Sequence, residues 1–377
     1  MKVRREGIAG TENKRDCTVR VNEGNGIEIK GKTKEMFGEH VRKLIKKRLD
    51  EIGVEAMVSV EENGSLDYVI IARLEAALRK ACEEEIPDRP IEREHASRNL
   101  RRSRMYVPGN SPRMMNSAGV YGCDCLILDL EDSVVTGKKE DARYLIKNAL
   151  KYVDFGDSEL WVRVNSDSMK EDIFVVKYGV PYGICLPKTE EKEDVAILEG
   201  ILEEEGLDAK IMPIVESARG VENIAEILDA SDRVVAVAFG AEDFTRDMGG
   251  KRTWDSLFYA RSKIVVSARA HGVQALDTIY PDVGNTEGLR EETMRVVEMG
   301  FDGKGVIHPN QIEVIHECFT PSDGEIEEAK QILEAVSEAK SKGLGTASLN
   351  GKMIDLPVEK KARRTLERAG LGDMNQI

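Results

Sequence analysis

The rhythm of apolar and polar positions changes once along the chain. Over residues 1–84 it is mixed. Thr18–Val21 and Ile27–Ile29 alternate as half-buried strands do, and from Met36 to Ile52 apolar residues return at helical spacing (Met36, Phe37, Val41, Leu44, Ile45, Leu49, Ile52). Ala56–Val60 and Leu66–Ile71 read as two more strands joined through Asn63-Gly64, a dipeptide suited to a tight hairpin turn. A helix from Arg73 to Glu84 completes a small α+β unit. Residues 85–100 then carry two prolines and dense charge of both signs with little periodicity, which predicts a linker.

From Arg101 to residue 377 the pattern is different. Short apolar runs recur, each followed by a longer helical stretch: Met105–Val107, Cys125–Leu130, Leu160–Val164, Gly183–Leu186, Ile211–Val215, Val234–Phe239, Val273–Leu276 and Gly305–Ile307. Eight strand–helix units predict a (β/α)8 barrel, with a doubly wound sheet as the alternative. The run ends separate the two. Pro108-Gly109-Asn110, Glu131-Asp132, Arg163 with Asn165, Lys188, Glu216, Glu242-Asp243, Asp277 and His308-Pro309 place polar groups at nearly every C-terminal strand end. That distribution is expected of a barrel, whose active site draws on several strands. The segment VPGNS lacks the glycine spacing of a dinucleotide loop.

Composition narrows the partners. The 377 residues are 41% hydrophobic and 33% charged, enough for a large core, and the net charge of -14 argues against nucleic acid and acidic membrane surfaces as partners. The basic run Arg42–Arg48 sits at helical spacing and reads as a solvated face. Six cysteines show no CxxC pair, and Cys123 and Cys125, two apart in a strand, are expected on one face as core residues. No apolar leader or membrane span is visible, so a cytoplasmic protein is expected.

Candidate chemistry lies at the strand ends. Glu216 in PIVES and Asp243 in AFGAEDFTRDMG are carboxylates on neighbouring strand ends, suited to a hard cation such as Mg2+. Arg163 in LWVRVN is the one basic residue in its run; it either meets a substrate anion or developing enolate, or pairs with Glu131 or Asp132. Lys188 could form a Schiff base, though the acidic pair favours a metal and leaves it an electrostatic role. His308, alone beside a proline, reads as a hydrogen-bonded structural residue.

The ordered motifs RRSRMYVPGN, DCLILDLEDSV, WVRVN, PIVES, AFGAEDFTRDMG, LFYARS, HPNQI and SLNGKMIDLP resemble the citrate lyase beta subunit, of the HpcH/HpaI aldolase and malyl-/citramalyl-CoA lyase superfamily, over residues 98–373. The resemblance implies an oligomeric TIM barrel, a trimer or hexamer, with Mg2+ on Glu216 and Asp243. It further implies Arg163 at the thioester carbonyl, Arg102 on the substrate side, and Asp355 as an acid–base group lent by a neighbouring subunit. Residues 1–82 resemble the citrate lyase acyl carrier (gamma) subunit through GIAGT, the strand DCTVRV, GIEI, MFGEHVRKLI and NGSLDYVIIARLEAAL. The carrier family attaches its prosthetic group to a serine; here Lys14 stands at that place, and an ammonium cannot form the phosphodiester. Thr11 and Thr18 are nearby hydroxyls that nothing in the spacing promotes, so no attached group is expected.

The expected reaction is therefore Mg2+-dependent cleavage of a citryl-type 3-hydroxyacyl thioester, with Glu131 and Asp132 positioning Arg163 and the backbone N–H groups of Gly240 and Ala241 helping to hold the enolate. Citryl on a separate carrier protein, citryl-CoA, malyl-CoA and citramalyl-CoA stay open as substrates, and a separate carrier or acyltransferase subunit as partner. A pyruvate aldolase acting on free acids and a non-catalytic assembly subunit are the competing classes.

Overall fold

Two sheets account for the change of rhythm. The computed structural model describes residues 1–95, 99–341, 346–349 and 352–371; residues 96–98 of the expected linker and Asn350-Gly351 of the tail motif lie outside them. In the N-terminal part, β1 (Gly7–Gly10), β2 (Cys17–Asn22), β3 (Gly26–Gly31) and β4 (Met57–Glu62) form one sheet in the order β1-β2-β4-β3, with β3 and β4 parallel and the other pairs antiparallel. Helices α1 (Lys34–Ile52) and α2 (Asp67–Cys82) pack with it.

Two expectations fail here. Leu66–Ile71 is not a strand: Asn63-Gly64 leads from β4 into α2. The reason is burial on all sides. Thirteen residues of α2, from Tyr68 to Cys82, are buried because the helix lies between the small sheet and the barrel, so its start reads as an unbroken apolar run that periodicity cannot assign. Strand β1, short and rich in glycine, was not expected at all.

The second part is a closed parallel barrel of eight strands: β5 (Ser103–Pro108), β6 (Cys125–Asp129), β7 (Glu159–Arg163), β8 (Gly183–Leu186), β9 (Lys210–Val215), β10 (Ala236–Phe239), β11 (Gln274–Ile279) and β12 (Gly303–Val306), closing between β12 and β5. Each of the eight expected runs contributes to one of them. Alternation sorts the side chains. Cys125, Ile127, Trp161, Cys185, Met212, Ile214, Ala236, Ala238 and Leu276 fill the interior, while their neighbours in sequence pack outward against the helices. Cys123 departs from the single face expected for it and Cys125: it precedes β6, belongs to the outer cluster and lies against Ser103.

Arg102 also departs from expectation. It precedes β5, and its backbone N–H, Nε and one terminal nitrogen bond Asp124, the residue before β6, while the other terminal nitrogen bonds Thr320. This is the N-terminal end of the barrel, a strand length of roughly 20 Å from the C-terminal strand ends. Arg102 is a closing contact of the barrel floor, beside the buried Arg101–Glu159 pair and away from the C-terminal strand ends.

The small unit is seated on helix α4 (Lys139–Tyr152), reached after helix α3 (Pro112–Ala118). Buried Arg73 donates to both carboxylate oxygens of Asp16 and to the Asp141 carbonyl; Lys147 pairs with Glu75 at 2.8 Å, and Asn148 bonds the same carboxylate. Stripping one partner from such buried pairs costs about 3–5 kcal/mol, so this is a docked domain rather than a swinging carrier. The segment after α2 is docked too. Ile86 is buried, and Asp88 accepts from Lys147 and Lys151, both at 2.7 Å.

Burial raises the Asp88 carboxyl, but Lys147 and Lys151 outweigh it and hold the group at about 2. Because the folded value lies below the unfolded one, the stabilisation is present above about pH 4 and is lost as pH falls through about 2. Asp88→Asn should therefore remove about 1–2 kcal/mol at pH 7, after a discount for partial exposure, and the deficit should shrink towards pH 2. Denaturant unfolding across that range checks both the size and the sign.

Candidate active site

Period-two alternation carries inward-facing positions to the C-terminal rim, where the series Cys125–Ile127 continues to Asp129, Trp161 to Arg163, and Met212–Ile214 to Glu216. Arg163 is nearly buried and takes three anionic contacts. Its Nε and one terminal nitrogen donate to Asp129 at 2.7 and 2.8 Å, and the other lies 2.9 Å from Glu131. Asp132 stands back at 3.9 Å and is exposed. The Tyr106 ring stacks beneath the guanidinium, with centroid 5.0 Å away. Burial lowers the Arg163 pKa, but the hydrogen bonds and charge of Asp129 more than offset this and hold it above the ordinary arginine value. Reciprocally, burial raises Asp129, and the Arg163 bonds more than offset this and keep it ionised.

Asp129 is thus the main partner of Arg163, a role expected of Glu131 or Asp132. It also receives the N–H groups of Glu131 and Ser133, which folds the loop back over the rim. Lys139 pins that loop by donating to the carbonyls of Leu130 and Glu131 and to Asn165.

Glu131 is buried, with Lys188 Nζ 2.7 Å from one oxygen and Arg163 2.9 Å from the other, yet neither oxygen has an aligned hydrogen bond. Burial raises its pKa despite these cations. Glu216 is pushed up to about 7, first by burial and then by the charges of Glu131 and Asp243, against a 2.7 Å bond from the Lys188 backbone N–H. Lys188 adopts the left-handed conformation (φ 53) that aims this N–H at Glu216, an uncommon and strained state for a side-chain-bearing residue. Asp243 lies in the first turn of helix Ala241–Asp247 and pairs with Arg246 at 2.6 Å.

Glu131 and Asp243 both raise Glu216 by their charge, and Glu216 with Asp243 offers carboxylate oxygens of the kind a hard divalent cation takes. Among the described residues no three His, Cys, Asp or Glu side chains gather closely enough to complete a metal site alone. Mg2+ needs only one or two protein carboxylates, its other positions going to water and substrate. A cavity of about 610 Å3 opens over Glu131 and Lys188, lined also by Asn165, Asp167 and Ser168.

Gly240 explains its own identity. A Cβ there would come within 2.5 Å of Glu216 Oε2 and 2.6 Å of its Cβ. Gly240→Ala should therefore displace the Glu216 carboxylate, lowering kcat at least tenfold and weakening Mg2+ dependence while the far-ultraviolet dichroism of the barrel is retained. Unchanged kinetics would show that Glu216 has room to spare.

The N–H groups of Gly240 and Ala241 do not serve as expected. The first donates to the Val215 carbonyl at 3.0 Å and the second to Thr278 Oγ1 at 3.2 Å, so both are spent on strand and helix packing. His308 Nδ1 accepts from the Asn310 N–H, a structural role. Asp355, exposed, caps helix Leu356–Arg368 by accepting from the Val358 N–H. That helix is moored by Arg364 to Asp302 and the Gly300 carbonyl, before β12, at the N-terminal end of its own barrel.

A closed eight-stranded parallel barrel with charged groups gathered at its C-terminal rim has the arrangement of a barrel enzyme. The family model HpcH/HpaI aldolase/citrate lyase matches residues 102–309. "Citrate lyase subunit beta" of Leuconostoc mesenteroides subsp. cremoris is 41% identical over 283 residues, covering 72% of this chain and 93% of that protein. The human protein "Citramalyl-CoA lyase, mitochondrial" is 37% identical over 71% of this chain and 85% of its own length. A crystal structure of protein CitE from Mycobacterium tuberculosis in complex with magnesium, acetoacetate and coenzyme A shares 30% identity and a TM-score of 0.58, covering 73% of this chain and 100% of that one. The chain belongs to the HpcH/HpaI aldolase/citrate lyase family and is a carbon–carbon lyase. Residues 4–81 match the model of the malonate decarboxylase delta subunit (MdcD), an acyl-carrier-type domain. Among the described residues no helix is long and apolar enough to cross a membrane.

Proposed function

We propose that the enzyme cleaves a citryl-type 3-hydroxyacyl thioester into a 2-oxo acid and a shorter acyl thioester. The observation that carries this reading is the Arg163 guanidinium, clasped by Asp129 and Glu131 beside Glu216 at the mouth of the barrel. Glu216 and Asp243 would hold Mg2+, which when bound supplies positive charge for the hydroxyl and carboxylate oxygens of the substrate.

The rest falls to the chain's own residues. The bond between the carbinol carbon and the carbon beside the thioester breaks, and its electron pair moves onto the thioester oxygen. Arg163 neutralises that oxygen from a pre-oriented, water-poor setting, where charge is worth far more than in bulk water. The hydroxyl proton passes to the Glu131 carboxylate, which burial makes more basic, as the carbinol carbon becomes the ketone of the 2-oxo acid. Asp355 then returns a proton to the enolate carbon. Because Asp355 sits on a helix moored to the far end of its own barrel, a second copy of the chain supplies it, which makes the active unit an oligomer.

Sharing of this kind has a direct test. Arg163→Lys and Asp355→Asn chains should each be nearly inactive alone, and mixed oligomers should regain a measurable fraction of wild-type turnover. Failure of every mixture to recover would contradict sharing between chains, and an active Asp355→Asn chain would place Asp355 outside the reaction. Thioester dependence separates this reading from aldol cleavage of free acids. The 2-oxo acid should appear from the CoA ester and not from the free hydroxy acid, and equal rates from both would overturn the proposal. Citryl, malyl and citramalyl esters all suit the same machinery, since they share the thioester, hydroxyl and carboxylate and differ only in one substituent on the carbinol carbon.

A further inference from the structure

The position where a carrier domain would attach its prosthetic group opens onto a basic cavity. Lys14 and Arg15 lie in the loop between β1 and β2, and with Arg113 and Lys138 of the barrel they line a space of about 680 Å3 between the two domains. The lining holds five cations, counting Arg73, against two anions, Asp16 and Asp141. Both anions are already matched: Asp16 by Arg73, and Asp141 by Lys80 and Lys138. Lys14, Arg15 and Arg113 are exposed and have no ion-pair partner among the described residues. Unmatched positive charge gathered in a cavity of a protein with net charge -14 calls for an anion.

The loop is built rather than loose. Arg15 takes the left-handed conformation (φ 67) that glycine or asparagine would adopt with less strain, with its N–H donating to the Asn63 carbonyl, and Asn63 in turn bonds the Glu12 carbonyl. Thr11 bonds Asp16, and Lys138 reaches the Gly10 carbonyl. The cavity is also on the right side of the barrel. Arg113 follows Pro108, the C-terminal end of β5. Lys138 and Asp141 flank Lys139, which lines the cavity over Glu131 and Lys188. The segment 136–141 lines both spaces, Thr136, Lys139 and Glu140 facing one and Lys138 and Asp141 the other.

We infer that this interdomain cavity is a binding site for the nucleotide end of a free CoA thioester, with Lys14, Arg15 and Arg113 holding its phosphates while the pantetheine arm runs over residues 136–141 to Arg163. Arginine supplies planar, paired donors to phosphate and lysine a mobile point charge, and both occur here. The inference rests on the thioester reading above, but its test needs no turnover.

Adenosine 3′,5′-bisphosphate, which lacks the arm and cannot react, should bind the full-length enzyme with an affinity that falls as salt rises. The Lys14→Glu/Arg15→Glu enzyme should bind it at least tenfold more weakly at an unchanged unfolding temperature, and Arg113→Gln should show the same direction from the barrel side. In turnover, the advantage in KM of an acyl-CoA over the matching acyl-pantetheine should shrink in both variants. Equal binding by wild type and variants, or binding of 4′-phosphopantetheine but not of the nucleotide, would overturn the inference. The second outcome would point to the arm of a separate carrier protein. If no thioester is cleaved but the nucleotide binds and is lost in the variants, the cavity stands and the proposed reaction falls.

Discussion

Arg163→Lys should lower kcat by about 10²- to 10³-fold, the cost of removing one oriented donor from a developing oxyanion, with a much smaller change in KM. Lysine retains the charge, so a loss of this size tests geometry. Arg163 bonds Asp129 through two nitrogens and reaches Glu131 with a third, while stacked on Tyr106. An ammonium on a flexible stem cannot keep all of these contacts and still face substrate. Arg163→Ala is the less informative variant, because it strands two buried carboxylates and should destabilise the fold by about 3–5 kcal/mol. Asp129→Asn should show an intermediate loss through misorientation of the arginine, and comparing its kcat and KM with those of Arg163→Lys separates positioning from contact with substrate. Wild-type turnover in Arg163→Lys would remove the guanidinium from the mechanism.

Asp243→Ala should abolish turnover, a fall of at least about 10³-fold if a metal provides several kcal/mol of charge stabilisation at this site. Its effect on stability should be small. Asp243 is partly exposed and its protein partner, Arg246, is one turn away on the same helix, an arrangement worth about 0.3–0.5 kcal/mol. Activity lost at an unchanged unfolding temperature, with Mg2+ no longer protecting against thermal unfolding, marks a metal ligand. Retained activity would leave Glu216 without its partner and remove the metal from the account.

The barrel was legible because strand interiors and strand ends obey different rules: apolar alternation inside, polar groups at one rim. Glu216, Asp243 and Arg163 stood out as polar endings of apolar runs. Asp129 was hidden by the same logic, since it occupies an inward position of DLED one step before the visible ending, and only the register shows that it, rather than Asp132, faces Arg163. Its alternation with Cys125 and Ile127 was the available signal. The backbone role of Lys188 had no signal, because a positive φ at a lysine is set by the tertiary fold. Arg102 lies ahead of β5, and a motif match could not show that its guanidinium is bound to Asp124 there. The N–H groups of Gly240 and Ala241 looked available at a helix start, and only the pairing with Val215 and Thr278 shows them taken. Helix α2 was misread for a reason of packing: a helix buried on every side loses the stripe by which helices are recognised.

The most direct measurement is release of 2-oxo acid from citryl-, malyl- and citramalyl-CoA by the full-length enzyme, with Mg2+ and after chelation. The account predicts cleavage of at least one ester, lost with chelator, restored by Mg2+ and absent in Asp243→Ala. Cleavage that survives chelation, or no cleavage of any ester under either condition, would contradict it.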